Sequence, residues 1–417
     1  MNNVFLKDFA ELITKGTTPS SVGCEFVKEG INFIKSESVS DSKYLNNANY
    51  EHINIATDAK LKRSRLKEGD LLFSIAGAYL GKIAIVRSND LPANTNQAVG
   101  IVRLNLSKVD VDYLYYYFSQ KHINEYINKL SSQSSQPNLN LDLLGKLEFD
   151  YKDLQSQQKI GSVLSSIDSK IEHNNRLNFE LESISKTLYD YWFIQFDFPN
   201  ENDKPYKSSG GKMVWNEELK REIPEGWSDL DLADFEKNII TGKTPPTIND
   251  SNFNGDVPFI CIGDIRGNMH IVDTELTLSR SGAETQSNKF IPKGAICVSC
   301  IASPGLIGFA TSNSQTNQQI NSIVCEIEEN KYFLYFFLKD YFKYAKAKTG
   351  NTFANMNKGD FSSIKVLRPP KDILFNFHQH LDSSIKMILS MSIQNQKLAE
   401  IRDWLIPMLM NGQVKVK

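Results

Sequence analysis

The chain is written twice, and that repetition limits its fold more than any other feature. Leu6, Asp8 and Phe9 precede a Gly16-Thr17-Thr18-Pro19 turn; Leu232, Asp234 and Phe235 precede Gly242-Lys243-Thr244-Pro245, at an offset of 226 residues. Phe33-Ile34 returns as Phe259-Ile260 at the same offset, and Lys67-Glu68-Gly69-Asp70-Leu71 answers to Pro292-Lys293-Gly294-Ala295-Ile296. Thr95-Asn96-Gln97 answers to Thr316-Asn317-Gln318. Pro137-Asn138-Leu139-Asn140 answers to Ala354-Asn355-Met356-Asn357, by which point the offset has shrunk to 217. Unequal loops in two diverged domains shorten an offset in this way. A chain of 417 residues has room for two such domains with separate cores, and a tandem pair suits a molecule that reads two related things a fixed distance apart.

Within a copy, short apolar runs cut by Gly, Asn, Ser and Pro read as strands and turns. Tyr113, Leu114, Tyr117, Phe118 and Ile123 recur at helical spacing, which predicts one helix from Asp110 to about Leu130, matched by one from about Lys331 to Lys348. Each copy is therefore expected to be α+β. From Leu154 to about Phe193 the pattern changes, with no proline, Gly161 as the single glycine, and seven-residue spacing throughout. Ile160, Ile167, Asn174, Leu181 and Leu188 form one row; Leu164, Ile171, Asn178, Ser185 and Trp192 form the other. This is the a/d seam of a coiled coil, broken in the middle by polar residues of the kind that set register. The C-terminal segment repeats the plan. Leu381, Ile388, Asn395, Arg402 and Leu409 make one row, Ser384, Met391, Leu398 and Leu405 the other, with Pro407 and Asn411-Gly412 expected to end the helix.

Two such helices in one chain pair with each other, and a pseudo-two-fold between the copies makes them antiparallel. The expected fold class is α+β: two duplicated α/β domains separated by two long antiparallel coiled-coil helices, pseudo-two-fold symmetric. A rod of about 35 residues spans about 50 Å, against about 34 Å for one turn of duplex DNA. Between the copies, Pro199 to Lys220 is polar and reads as a linker, after which Ile223-Pro224-Glu225-Gly226-Trp227 opens the second domain.

Several other functions lack their residues. The N-terminus has no signal-peptide layout. The uncharged stretch Gly294 to Thr311 carries Pro304, Gly305 and Gly308, and reads as strand, turn, strand rather than a membrane span; a soluble, cytoplasmic chain is expected. Cys24, Cys261, Cys297, Cys300 and Cys325 are an odd number without a framework and are expected to be reduced. Cys297 and Cys300 lack a second pair for zinc, and His378-Gln-His380 puts its rings on different helix faces, so no metal site is expected. Gly242-Lys243-Thr244 mimics the end of a phosphate loop, but Lys237 stands where the first glycine belongs. Neither Pro-Pro pair, at Pro245-Pro246 or Pro369-Pro370, sits in an amino-methyltransferase motif, and no Ser-His-Asp set or nucleophile elbow appears. No catalytic residue is assigned. Net charge is -2, so nucleic-acid binding would rest on local patches such as Lys60 to Lys67 or Tyr341 to Lys348.

Taken together, the Gly-x-Thr-Pro turns, Ile223-Pro-Glu-Gly-Trp227, Asn96-Gln97 with Asn317-Gln318, Gln136 to Asn140, Gln158-Lys159-Ile160 to Ile171, Trp192-Phe193, and Leu398 to Val414 resemble the specificity subunit of type I restriction-modification systems. The resemblance covers nearly the whole chain. The second copy departs from it at Phe353-Ala354, and Arg402 interrupts the last seam. It implies target-recognition domains at 1–151 and 223–370, central and C-terminal helices at 152–196 and 371–417, and a linker at 197–222. Each recognition domain would read half of a bipartite, asymmetric site in double-stranded DNA. The helices would set the spacing and dock two methyltransferase subunits, and restriction/translocase subunits would join through the complex. No membrane is implied. This chain would hold no cofactor; its partners would use S-adenosylmethionine, ATP and Mg2+.

Phosphate contacts would position each domain, and polar side chains at major-groove edges would read sequence. Candidates in the first copy are Lys15, Thr17, Lys35, Lys60, Lys62, Arg63, Tyr79, Lys82 and Asn138; in the second, Lys243, Arg266, Arg280, Lys348, Asn351, Asn355 and Lys358. The Asn-Gln pairs are expected to bond backbone groups instead. Ile160, Leu164, Ile167, Ile171, Leu181, Leu188, Ile388, Leu398 and Leu405 are the candidates for helix pairing and partner docking. A coiled-coil scaffold that binds only proteins stays open beside this reading, as does a fused methyltransferase or nuclease with unfamiliar motifs. The first would show no salt-sensitive DNA binding, and the second would methylate or cut DNA unaided.

Overall fold

The computed structural model describes residues 3–40, 42–131, 138–349 and 355–416. The chain divides into two compact units, Met1–Ile171 with Leu398–Lys417, and Glu172–Lys397.

In the first unit a four-stranded sheet runs in the order Ala10–Lys15, Val99–Leu104, Leu71–Ser74, Ile83–Ile85, all antiparallel. A three-stranded sheet has Ile31–Ile34 in the middle, antiparallel to Glu51–Ile53 and parallel to Ala93–Thr95. Asn3–Phe5 pairs with Glu148–Asp150. The second unit reproduces each part: Ile239–Thr241, Ile320–Ile323, Ile296–Ser299 and Ile307–Ala310 in the same order, extended by His270–Ile271. Phe253–Ile260 lies antiparallel to Leu276–Leu278 and parallel to Gln315–Thr316, and Ser228–Asp231 pairs with Lys365–Arg368. The strand, turn, strand expected within 294–311 is present, with Cys297 and Cys300 buried as small apolar residues. No helix among the described residues is long and apolar enough to cross a membrane.

The repeated motifs turn out to be two halves of one latch. The Gly-x-Thr-Pro turn lies against the Thr-Asn-Gln turn so closely that a Cβ on Gly16 would sit 2.0 Å from the Thr95 carbonyl oxygen. On Gly242 it would sit 2.2 Å from the carbonyl oxygens of Thr316 and Asn317. Glycine is required here by backbone approach. The amides of Thr17 and Lys243 donate to the Thr95 and Thr316 carbonyls at 3.0 and 2.9 Å. The Gln97 side-chain oxygen accepts from the Thr18 amide at 3.1 Å and from its hydroxyl; Gln318 accepts from the Thr244 hydroxyl at 2.6 Å. Asn96 and Asn317 bond the amides of Ala98 and Gln319 at 3.1 and 3.0 Å. Asn96 and Asn317 thus serve their own turns, and Gln97 and Gln318 tie those turns to the Gly-x-Thr-Pro turns. Asn140 and Asn357, the last residues of the later repeated motif, are helix N-caps, accepting from the Leu143 and Asp360 amides at 2.8 and 2.9 Å.

The central helix spans Leu154–Tyr189 and the C-terminal helix Lys371–Met410. In the first unit Ile160 and Leu164 share a core with Ile406, Leu409 and Met410. In the second unit Tyr189 packs in one core with Phe377, Leu381, Ile385 and Ile388, while Asn178 reaches Ser392. Within that unit one helix rises as the other falls, so they are antiparallel. The polar break in the seam is a paired node. The Asn174 amide donates to Gln394 at 2.7 Å and Asn395 at 2.8 Å. The bonds Asn178 to Ser392 and Asn395 to Asn175 map onto each other under the 217-residue offset, a local two-fold in the side chains. A polar node of this kind within an apolar seam fits a register-setting role.

Three expectations are corrected. The first-copy helix is two, Val111–Phe118 and Lys121–Ser131, because the backbone leaves the helix at Ser119-Gln120; its second-copy counterpart, Asn330–Thr349, is unbroken. The C-terminal helix passes through Pro407 to Met410, and Gly412, at φ +72, turns the chain after it. The linker holds a hairpin, Met213–Asn216 with Arg221–Pro224, anchored by Phe198 stacked on Tyr206 and Trp227 at 4.7 and 5.0 Å.

Gly242→Ala should lower stability by about 1–3 kcal/mol through backbone displacement, and Asn357→Ala by about 1 kcal/mol through loss of the cap, both read from urea unfolding midpoints. Burial pushes the His270 imidazole down to about 4, against the opposing bond to the Ile385 carbonyl. The unfolded chain therefore takes up a proton that the folded chain refuses. Stability should be full above about pH 6.5 and fall by on the order of 3 kcal/mol as pH drops to about 4. His270→Phe should flatten that slope in urea titrations across the same window.

Candidate nucleic-acid interface

The first latch gathers part of the predicted cation set. Lys15 ends the strand that leads into it, and Thr17 lies in the turn. The Arg63 guanidinium is 3.4 Å from the Thr17 hydroxyl, in the short turn Lys62–Ser64, where Lys62 and Arg63 are exposed. Lys60 closes the helix Ile55–Lys60 and lies 3.5 Å from the Cys24 sulfur. A hydrogen bond from Thr57, with help from Lys60 and against partial burial, holds the Cys24 thiol below its usual range. The result is a cationic rim on a hydrogen-bonded turn, a form suited to anionic backbone contacts.

Tyr79, Lys82 and Asn138 form a second group. Tyr79 is exposed and Lys82 half-buried in the loop joining Leu71–Ser74 to Ile83–Ile85. That loop is held by Asn124, which donates to the Gly81 carbonyl at 2.8 Å, and Asn138 bridges to Ala76 at its start. Lys35 stands apart. Its ammonium lies 2.9 Å from Glu51 and over the Phe26 ring at 4.9 Å, so much of its charge is already matched.

In the second copy Lys243 is exposed on the latch, its carbonyl accepting from Gln286 at 2.6 Å. Arg266 is exposed at the end of the short helix Ile262–Ile265. Arg280 is exposed at the start of Arg280–Glu284, but Asp256 lies 3.6 Å away. Asn355 accepts from the Ala302 amide at 3.2 Å, and Lys358 is the exposed first residue of Lys358–Ser362. Asn351 lies outside the described residues, as does the side chain of Lys348.

The seam residues are largely spent inside their own units. Ile160 and Leu164 are buried in the first, with Leu405 packed against that core and Ile167, Ile171 and Leu398 half-buried. Ile388 is buried in the second, with Leu181 and Leu188 packed against its core. Such residues hold the helices together within each unit. Apolar side chains that reach solvent lie off the seam, among them Phe179, Ile184, Met387, Ile401 and Trp404. Sequence reading missed them because it counted only heptad positions. It also took Arg402 as an interruption, whereas its guanidinium pairs with Asp168 at 2.7 Å. Lys43, buried against Asp112 at 2.8 Å, gave no sequence signal. Among the described residues no His, Cys, Asp and Glu cluster could hold a metal ion.

Comparison with known proteins agrees with this architecture. The family model for the type I restriction modification DNA specificity domain matches residues 1–183 and again 224–403. The HindI specificity subunit of Haemophilus influenzae, a type I restriction enzyme subunit, is 31% identical, over 92% of this chain and 94% of its own. The MjaIX specificity subunit of Methanocaldococcus jannaschii is 27% identical, over 99% and 93%. The solved S subunit of a type I system from M. genitalium shares the fold at a TM-score of 0.52, with 15% identity over 95% of this chain and 94% of its own. A family model that matches both copies, together with a relative of this identity along nearly all of its length, shows that the chain belongs to the type I restriction-modification DNA specificity family.

Proposed function

We propose that this chain is the DNA-reading subunit of a type I restriction-modification complex, each globular copy reading one half of a bipartite, asymmetric site in double-stranded DNA. The long helices set the distance between half-sites and dock two methyltransferase subunits, through which restriction/translocase subunits join. Chemistry belongs to those partners, with S-adenosylmethionine, ATP and Mg2+. The observation that carries the reading is one topology built twice with unlike exposed side chains. Thr17 and the exposed Arg63 line the first latch, where the exposed Lys243 lines the second with its carbonyl held by the buried Gln286. Equal scaffolds with different rims suit two different half-sites. The relatives support it in name, since both are called specificity subunits of type I restriction enzymes.

Affinity should come mainly from phosphates, the overall charge of -2 notwithstanding. In the assembled methyltransferase complex, Lys62→Ala and Arg63→Ala should each lower the slope of log Kd against log salt by about one. Half-site preference should stay intact. Sequencing methylated DNA from cells that express the complex should reveal a split motif. Exchange of residues 1–150 for those of a relative should change one half only. An unsplit motif, or a change in both halves, would overturn the proposal.

A further inference from the structure

In the first unit, polar contacts fix one face of the central helix to the recognition domain. Gln157, Gly161, Ser165 and Asp168 form a stripe at helical spacing. Gln157 accepts from the Asp110 amide at 2.9 Å. Gly161 lets the domain close in, since a Cβ there would lie 2.6 Å from an Asp110 carboxylate oxygen. The buried Lys43 ammonium donates to Ser165 at 2.7 Å and lies 2.8 Å from Asp112, while the Ser165 hydroxyl donates to Asp112 at 2.8 Å. At the end of the stripe the Tyr116 hydroxyl donates to one Asp168 oxygen at 2.5 Å, and Arg402 donates to the other at 2.7 Å.

The second unit holds a counterpart. Tyr335 occupies the position of Tyr116 in the repeat and donates to Glu182 at 2.9 Å, with Lys339 on the same oxygen at 2.5 Å. Both acceptors are carboxylates of the central helix, and 168 and 182 are two heptads apart. An apolar contact tolerates sliding and rotation. A tyrosine hydroxyl on a carboxylate that a cation also holds does not, because the bonds are directional and leaving them unmade is costly.

We infer that Tyr116–Asp168–Arg402, backed by Lys43–Asp112–Ser165, and Tyr335–Glu182–Lys339 are positioning clamps. They fix the angle of each recognition domain on the long helices, and so determine which spacer length the complex accepts, without touching DNA. The inference rests on the bipartite reading proposed above.

The test uses the assembled methyltransferase complex on a duplex library in which the mapped half-sites are joined by spacers of varied length, with methylation read by sequencing. Wild type should accept one spacer strongly. Tyr116→Phe, Asp168→Asn and, as an independent site, Glu182→Gln should raise methylation at spacers one base pair longer or shorter by about tenfold relative to the preferred one, the scale of one charge-assisted hydrogen bond. Half-site bases should be unchanged. Variants that keep the wild-type spacer preference, or lose methylation at every spacer in step with their thermal midpoints, overturn the inference and leave the bipartite reading standing. A wild-type complex with no split motif overturns both.

Discussion

The structure depends on a helix seam that is apolar along most of its length and polar where register has to be set. Leucine and isoleucine rows supply most of the attraction between the helices, but apolar knobs of similar size fit several registers. The node of Asn174, Asn175, Asn178, Ser392, Gln394 and Asn395 admits one register, because its bonds of 2.7–3.4 Å form only when those residues meet.

The latch does comparable work in each globular copy. Gly-x-Thr-Pro and Thr-Asn-Gln are far apart in the chain, and each looks like a loose turn by itself. Together they tie the first strand of the larger sheet to the loop entering its neighbour, through backbone approach that only glycine allows at residues 16 and 242. A loop so anchored can carry variable side chains on its rim without loss of its own shape. That explains how one scaffold presents Thr17 with Arg63 in one copy and Lys243 in the other.

Much of this was legible in the sequence. The duplication, the strand and turn character of each copy, both seams and the polar break all follow from periodicity, because heptads and repeat offsets are properties of spacing alone. Helix interruptions were less legible: Ser119-Gln120 holds no proline or glycine, and Pro407 is carried inside a helix. Residue type does not reveal which cations have acidic neighbours: Lys35 lies 2.9 Å from Glu51 and Arg280 lies 3.6 Å from Asp256.

The sequence by itself determined that there are two sibling domains, a paired helix with each, and a family to which they belong. Only the tertiary structure decided which polar residues are committed to the scaffold. Lys43, Asp168 and Arg402 look like ordinary surface charges in the text, and Arg402 looks like a flaw in the seam. Their partners come from chain segments tens to hundreds of residues away, and an ion pair or hydrogen bond exists only where folding brings donor and acceptor within about 3 Å.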